Sequence, residues 1–104
     1  MSERNATRQV VLTRARLCEA AIPDLCGRVA TDVHEIKTRA RGGSITDPDN
    51  CLSLCRPCHR YITEHPTWAL ENGYVVHGWA TEDDIKEAVR KREAWRESST
   101  RGAP

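Results

Sequence analysis

Cys55-Arg56-Pro57-Cys58-His59 places two kinds of chemistry in one short run: a Cys-x-x-Cys pair with the spacing of a zinc knuckle, and a histidine directly after it. A structural zinc takes four soft or borderline donors in a tetrahedron, and Cys18, Cys26, Cys55 and Cys58 are the natural set. The pair at 55 and 58 is the stronger signal. Seven residues separate Cys18 from Cys26, so that arm needs a longer loop than an ordinary knuckle. Cys51, followed by Leu52, reads as a small buried hydrophobe rather than a fifth ligand. A second set consists of His34-Glu35, Asn50 and His59, residue types that can take up a proton, orient a base or hold a divalent cation. Each has a plainer reading when taken alone: His34 as a satisfied strand residue, His59 as a spare knuckle histidine, Asn50 as a turn residue.

These residues need elements to position them, and the chain has little core with which to do it. Its 104 residues suit one domain, and three Trp, two Tyr and no Phe make a thin aromatic set, so a staple is expected. The N-terminal residues carry charge without an apolar stretch, and no run approaches the ~18 apolar residues of a membrane span. The expectation is a cytoplasmic chain with reduced thiols and no membrane association. An odd number of cysteines with a Cys-x-x-Cys pair then favours metal over disulfides. The net charge of +1 hides an asymmetry, because the first 60 residues hold an excess of Lys and Arg and the remainder an excess of Asp and Glu. The metal-bearing part is the basic one, which permits contact with nucleic acid without requiring it.

The pattern predicts a short basic helix over residues 5–14, with Val10 and Val11 as apolar positions and Arg4, Arg8, Arg14 and Arg16 on the surface. A loop with turn chemistry follows from Cys18 to Gly27, and then a strand over Ala30 to Ile36, on which His34 and Glu35 face opposite sides. Thr38 to Ser44 is a basic, glycine-ended loop. Asp47-Pro48-Asp49-Asn50 is a turn, Cys51 to Leu54 a second strand, and a helix runs from about Pro57 to His65. Beyond this ββα unit, the sequence predicts a helical turn or two from Pro66 stopped by Gly73 and a strand over Tyr74 to Trp79. A last helix begins after the N-cap Thr81 and runs to about Ser98, with Ile85, Ala88, Val89 and Trp95 as its apolar stripe. The fold class is α+β: one domain over 1–98, with a core at 18–65, a C-terminal strand and helix within 66–98, and a frayed tail at 99–104.

His34-Glu35, Gly42-Gly43 and the series Asn50, Leu52, Leu54, Cys55, Cys58, His59 stand in an order that resembles the HNH endonuclease family, over roughly Cys18 to Thr63. The run Tyr61 to Pro66 with Gly73 to Val76 is more narrowly similar to small phage-encoded HNH proteins. The resemblance implies a zinc-stapled ββα-metal fold of treble-clef-like form that hydrolyses DNA phosphodiester bonds. It also implies that the strand histidine is the general base and that Asn50 orients the hairpin or that base. His59, with His34, would then help hold a catalytic divalent metal such as Mg²⁺, Mn²⁺ or Ni²⁺. Two departures stand out. Counting back from Gly42 puts Glu35 at the usual place of the base, so either His34 is the base with Glu35 in support, or Glu35 has replaced it while His34 binds metal. Thr63 stands where some members carry a second metal-binding side chain, with His65 nearby. Lys37, Arg39, Arg41, Arg56 and Arg60 are the candidate DNA contacts. The resemblance extends to partners in phage packaging or replication and to the host cytoplasm. The alternative is a catalytically silent zinc module that binds nucleic acid, with a protein-interaction zinc domain behind it.

Overall fold

The computed structural model describes residues 3–37 and 48–102, which form the elements α1 (Glu3–Arg14), β1 (Asp32–Glu35), β2 (Cys51–Leu54), α2 (Arg56–Glu64), α3 (Pro66–Glu71) and α4 (Glu82–Gly102). A single 3-10 turn, Pro48–Asn50, leads into β2. β1 and β2 pair antiparallel, with Asp32 opposite Leu54, Val33 opposite Ser53, His34 opposite Leu52 and Glu35 opposite Cys51. Residues paired across a ladder share a face. Asp32, His34, Leu52 and Leu54 therefore lie on one side of the hairpin, and Val33, Glu35, Cys51 and Ser53 on the other.

Every residue of β2 is buried, because both faces are covered. α1 covers the Cys51/Ser53 face. Val11 is fully buried, and the Ser53 hydroxyl donates to the Val11 carbonyl at 2.9 Å. Arg8 and Arg14 are exposed, as expected of a basic surface, and their guanidinium groups also reach backbone. Arg8 donates to the Thr31 carbonyl at 2.8 Å, and Arg14 to the carbonyls of Cys51 at 2.9 Å and Pro48 at 3.2 Å. Glu19 closes the outer edge of β2: its amide donates to the Ser53 carbonyl at 2.8 Å, and its carboxylate accepts from the Ser53 amide at 3.3 Å. The other face packs on α2 through Leu52, Leu54, Cys58 and Ile62.

The C-terminal part supplies what the ββα unit lacks. Tyr61, Trp68, Tyr74 and Trp95 form one aromatic cluster, in which Trp68 stacks on Tyr74 at 5.5 Å and meets Trp95 edge-on at 5.3 Å and Tyr61 edge-on at 5.1 Å. Such pairs add about 0.5–1.5 kcal/mol each beyond the area they bury. The expected strand from Tyr74 to Trp79 is irregular chain instead. The Tyr74 and Val75 amides turn back to the Ala69 carbonyl at 2.8 and 3.4 Å, which leaves one ladder-like bond, from the Val76 amide to the Ile36 carbonyl at 3.1 Å. α4 starts at a reciprocal cap, in which the Asp84 carboxylate accepts from the Thr81 amide at 2.9 Å while the Thr81 hydroxyl accepts from the Asp84 amide at 3.3 Å. The helix continues to Gly102, past the expected end near Ser98. Its inward face is Ala88, Arg92 and Trp95, whereas Val89, expected in the stripe, is exposed.

Candidate functional site

Two local structures bring the four cysteines together. Cys18 and Cys26 belong to a loop closed at its base like a hairpin. Leu17 bridges Val29, the Cys18 amide donates to the Arg28 carbonyl at 2.7 Å, and the Ala30 amide to the Arg16 carbonyl at 2.9 Å. The long spacing is the length of this loop, and three non-glycine residues with positive φ, Ala21, Asp24 and Arg28, bend it inward. Cys55 caps α2, accepting from the Cys58 amide at 3.4 Å, and Pro57 sits in the first turn, where its missing N–H costs nothing. The sulfur atoms of Cys18, Cys26, Cys55 and Cys58 all lie within 4.8 Å of one another, a group that can hold a metal ion. The Cys26 to Cys55 separation of 3.8 Å matches the edge of a tetrahedron with metal–sulfur bonds of about 2.3 Å.

Burial and hydrogen bonds act on these thiols in opposite directions. Burial pushes the Cys55 thiol up, but amides of Cys58 and Gly27 aimed at its sulfur outweigh this and hold it at about 7. Burial pushes the Cys26 and Cys58 thiols up. Nearby thiolates repel one another in a dry site, and a divalent cation reverses that balance. Cys51 is buried outside the cluster, on the α1 face of β2.

On the α2 face of the hairpin lies the second constellation. His34 is 7% exposed, and its Nε2 is 2.6 Å from the Tyr74 carbonyl oxygen. A carbonyl only accepts, so Nε2 carries the proton and Nδ1 is left with its lone pair. Burial, outweighing the Tyr74 hydrogen bond and assisted by the charges of His59 and Arg92, pushes the His34 pKa down to about 4. The ring is therefore neutral at pH 7. The His59 ring meets it edge-on at 5.3 Å. His59 Nδ1 lies 3.0 Å from Asp32 Oδ2, and Arg56 and the Thr31 hydroxyl reach Asp32 Oδ1 at 3.4 and 3.0 Å. Burial raises the Asp32 pKa, but the His59, Thr31 and Arg56 interactions bring it below the ordinary carboxylate value. An ionised Asp32 orients Nδ1–H of His59 toward itself and so fixes the His59 ring. Asp32, Arg56, His59, Arg60, Thr63 and Glu64 line an open depression of about 380 Å³.

Other candidate residues fall in different places. Glu35 lies on the opposite face of β1 from His34, across from Cys51. Asn50 clamps the hairpin: its Oδ1 accepts from the Lys37 amide at 2.9 Å, its Nδ2 donates to the Lys37 carbonyl at 2.8 Å, and its own carbonyl accepts from the Ile36 amide at 2.8 Å. Lys37 is the last described residue after β1, and Arg39 and Arg41, with the expected basic loop from Thr38 to Ser44, lie outside the described residues. Arg56 and Arg60 are exposed on α2, Arg60 paired with Glu64 at 3.0 Å. The Thr63 hydroxyl donates to the His59 carbonyl at 3.0 Å, and His65 stacks on Tyr61 at 3.9 Å, so neither side chain is aimed at the Asp32/His59 pair. His77 stacks on Trp79, away from the site. Among the described residues, the cysteine cluster is the one group of three or more such donors gathered closely enough for a metal ion.

Three contributors were not apparent in the sequence reading. Asp32 stands two residues before His34, and strand periodicity puts it on the same face. The Tyr74 carbonyl is a backbone atom far along the chain, with no side-chain signature. Arg92 lies inside an apolar stripe. No helix among the described residues is long and apolar enough to cross a membrane. No family model, curated protein or solved structure matches the chain.

Proposed function

We propose that this chain is a metal-dependent DNA endonuclease of the HNH type, with a structural zinc on the four cysteines. The observation that carries the reading is the state of His34. It is a buried, neutral imidazole with its proton committed to the Tyr74 carbonyl and Nδ1 unprotonated, on the same hairpin face as Asp32 and beside His59. A base for hydrolysis must be unprotonated, held in one orientation and close to the groups that bind the phosphate; a pKa of about 4 secures the first of these at a cost in proton affinity.

The donor chemistry fits two different metals. Four sulfurs suit zinc, which ties the Cys18–Arg28 loop to the start of α2 and makes binding energy into folding energy. His59 Nε2 is the atom that would hold a divalent cation at the open depression, with Asp32 fixing the ring through Nδ1 and Arg56 and Arg60 at the rim. Such an ion, when bound, stabilises charge on the scissile phosphate and on the departing oxygen. Nδ1 of His34 takes a proton from water as the water oxygen bonds to phosphorus. The bond from phosphorus to the 3′ oxygen breaks, and that oxygen is protonated from solvent. Arg56 and Arg60 contact phosphate without reading sequence, and Asn50 holds the base strand in register through its two hydrogen bonds to Lys37. In this reading the base is His34, and Glu35 serves the hairpin's other face.

A second reading has its own support. Thr63 gives its hydroxyl to the helix, and the Asp32/His59 pair leaves only His59 Nε2 for a cation, as a nucleic-acid-binding module without catalysis would. Plasmid nicking with Mg²⁺, Mn²⁺ and Ni²⁺ by wild type, His34→Ala and His59→Ala separates the two. Cleavage by wild type with loss in both variants supports the nuclease. A gel shift without cleavage by any of the three supports the binding module.

A further inference from the structure

The carbonyl that receives the His34 proton belongs to no regular element, yet the chain on both sides of it is anchored, and the Val75 amide of its own peptide donates to the Ala69 carbonyl at 3.4 Å. The peptide joining Gly73 to Tyr74 is planar, so fixing both of its polar groups fixes the whole unit. Its N–H end, the Tyr74 amide, donates to the Ala69 carbonyl at the end of α3 at 2.8 Å. Its oxygen end, the Gly73 carbonyl, accepts from Nη1 of Arg92 on α4. Two residues on, the Val76 amide donates to the Ile36 carbonyl beyond β1 at 3.1 Å. Between these anchors the Tyr74 carbonyl meets His34 Nε2. Gly73 has a φ of +79°, and a Cβ there would lie 2.1 Å from the Ala88 carbonyl oxygen, so the backbones of this turn and α4 are in direct contact.

Arg92 is an expensive way to make one hydrogen bond. It is 8% exposed on a helix face otherwise formed by Ala88 and Trp95, where an apolar side chain would pack without the cost of burying a cation. Among the described residues no carboxylate is within ion-pair distance of it, and its hydrogen bond goes to a neutral carbonyl. Its position is explained if the orientation of that carbonyl matters.

We propose that Arg92 is a positioning residue for His34: by pinning the Gly73 carbonyl, one peptide before the Tyr74 carbonyl, it fixes the turn that presents the Tyr74 carbonyl to His34 Nε2 and so keeps Nδ1 the unprotonated nitrogen. The catalytic consequence rests on the nuclease reading above; the structural claim does not. α4, outside the ββα unit, thereby controls the base of that unit.

The test uses the full zinc-loaded chain with ¹⁵N-labelled histidine at pH 7. Wild type should show His34 as a single tautomer protonated at Nε2, and protonation at Nδ1 overturns the proposal without any variant. Arg92→Met, which keeps length and loses the donor, should retain zinc and helix content while His34 becomes a mixture of tautomers. Its kcat for nicking should fall about 10- to 100-fold with KM for DNA within about twofold, and Arg92→Lys should recover most of the loss. A folded Arg92→Met that keeps the single Nε2-protonated form overturns the proposal. If Arg92→Met does not fold, the wild-type chain decides. The His34 Nε2 proton must then exchange slowly with solvent and show a nuclear Overhauser contact to the Tyr74–Val75 backbone, and its absence counts against the claim. A tautomer change in a chain whose wild type cuts no DNA leaves the positioning intact and removes the nuclease reading.

Discussion

Cys58 and His59 are consecutive residues of α2, yet they serve opposite kinds of site. Cys58 is fully buried and completes a group of four sulfurs closed to solvent on most sides, whereas the His59 side chain is 31% exposed at the wall of an open depression. One helical step of about 100° carries the chain from the cluster of four sulfurs to the open depression. In the proposed reading the closed site holds the fold together and the open one does the chemistry. The same contrast separates structural from catalytic metal sites generally.

Removing zinc should break the comparison most severely. Apparent binding energies of structural zinc are about 10–16 kcal/mol against a net stability of about 5–15 kcal/mol for a domain. Metal analysis should find one zinc per chain, and chelation should abolish cooperative unfolding followed by circular dichroism. A chelated chain with an unchanged melting curve would remove the staple from the account. Acid should expose the cost of His34 next. Its pKa is depressed from 6.5 to about 4, so between these values the unfolded chain binds the proton that the folded chain excludes. Stability contributed by the neutral ring is present above pH 6.5 and is lost as pH falls toward 4, by on the order of 3 kcal/mol. Urea unfolding of wild type and His34→Gln at pH 7, 5.5 and 4 should show this extra loss in wild type alone.

His59→Ala should cost only about 1 kcal/mol, the loss of a partly exposed hydrogen bond to Asp32, with zinc content unchanged. A collapse comparable to chelation would mean that the open site is structural after all. The smallest effect belongs to Arg60. Its exposed pair with Glu64 is worth less than about 0.5 kcal/mol, so Arg60→Ala should leave the melting curve in place while lowering the salt dependence of DNA binding by about one phosphate contact.

Much of the ββα unit was legible because local chemistry specifies it. Cys51–Leu54 is a short apolar run bounded by a turn and a knuckle, and α2 begins where Pro57 permits a helix and ends ahead of Pro66. The cysteine set could be read from donor type, although the Cys18 to Cys26 arm looked weak because a ladder from Leu17 to Val29 is invisible in spacing. The open site was half legible. Asp32 was masked by the adjacency of His34 and Glu35, although a period of two groups Asp32 with His34 and excludes Glu35. Tyr74 acts through its carbonyl, which every residue carries. Its β-rich surroundings suggested a strand, but the amides that would have built one are consumed by Ala69. Arg92 is a buried charged side chain whose partner is a backbone carbonyl, and a sequence marks such a residue as surface.

The most direct test of the central claim is the single-turnover cleavage rate of supercoiled plasmid by zinc-replete wild type in Mn²⁺ or Mg²⁺, set beside folded His34→Gln. The account predicts metal-dependent nicking that falls by about 10²–10⁴-fold in the variant, with zinc content and DNA affinity retained. Equal rates in the two proteins, or no cleavage by wild type under any divalent metal, would contradict it.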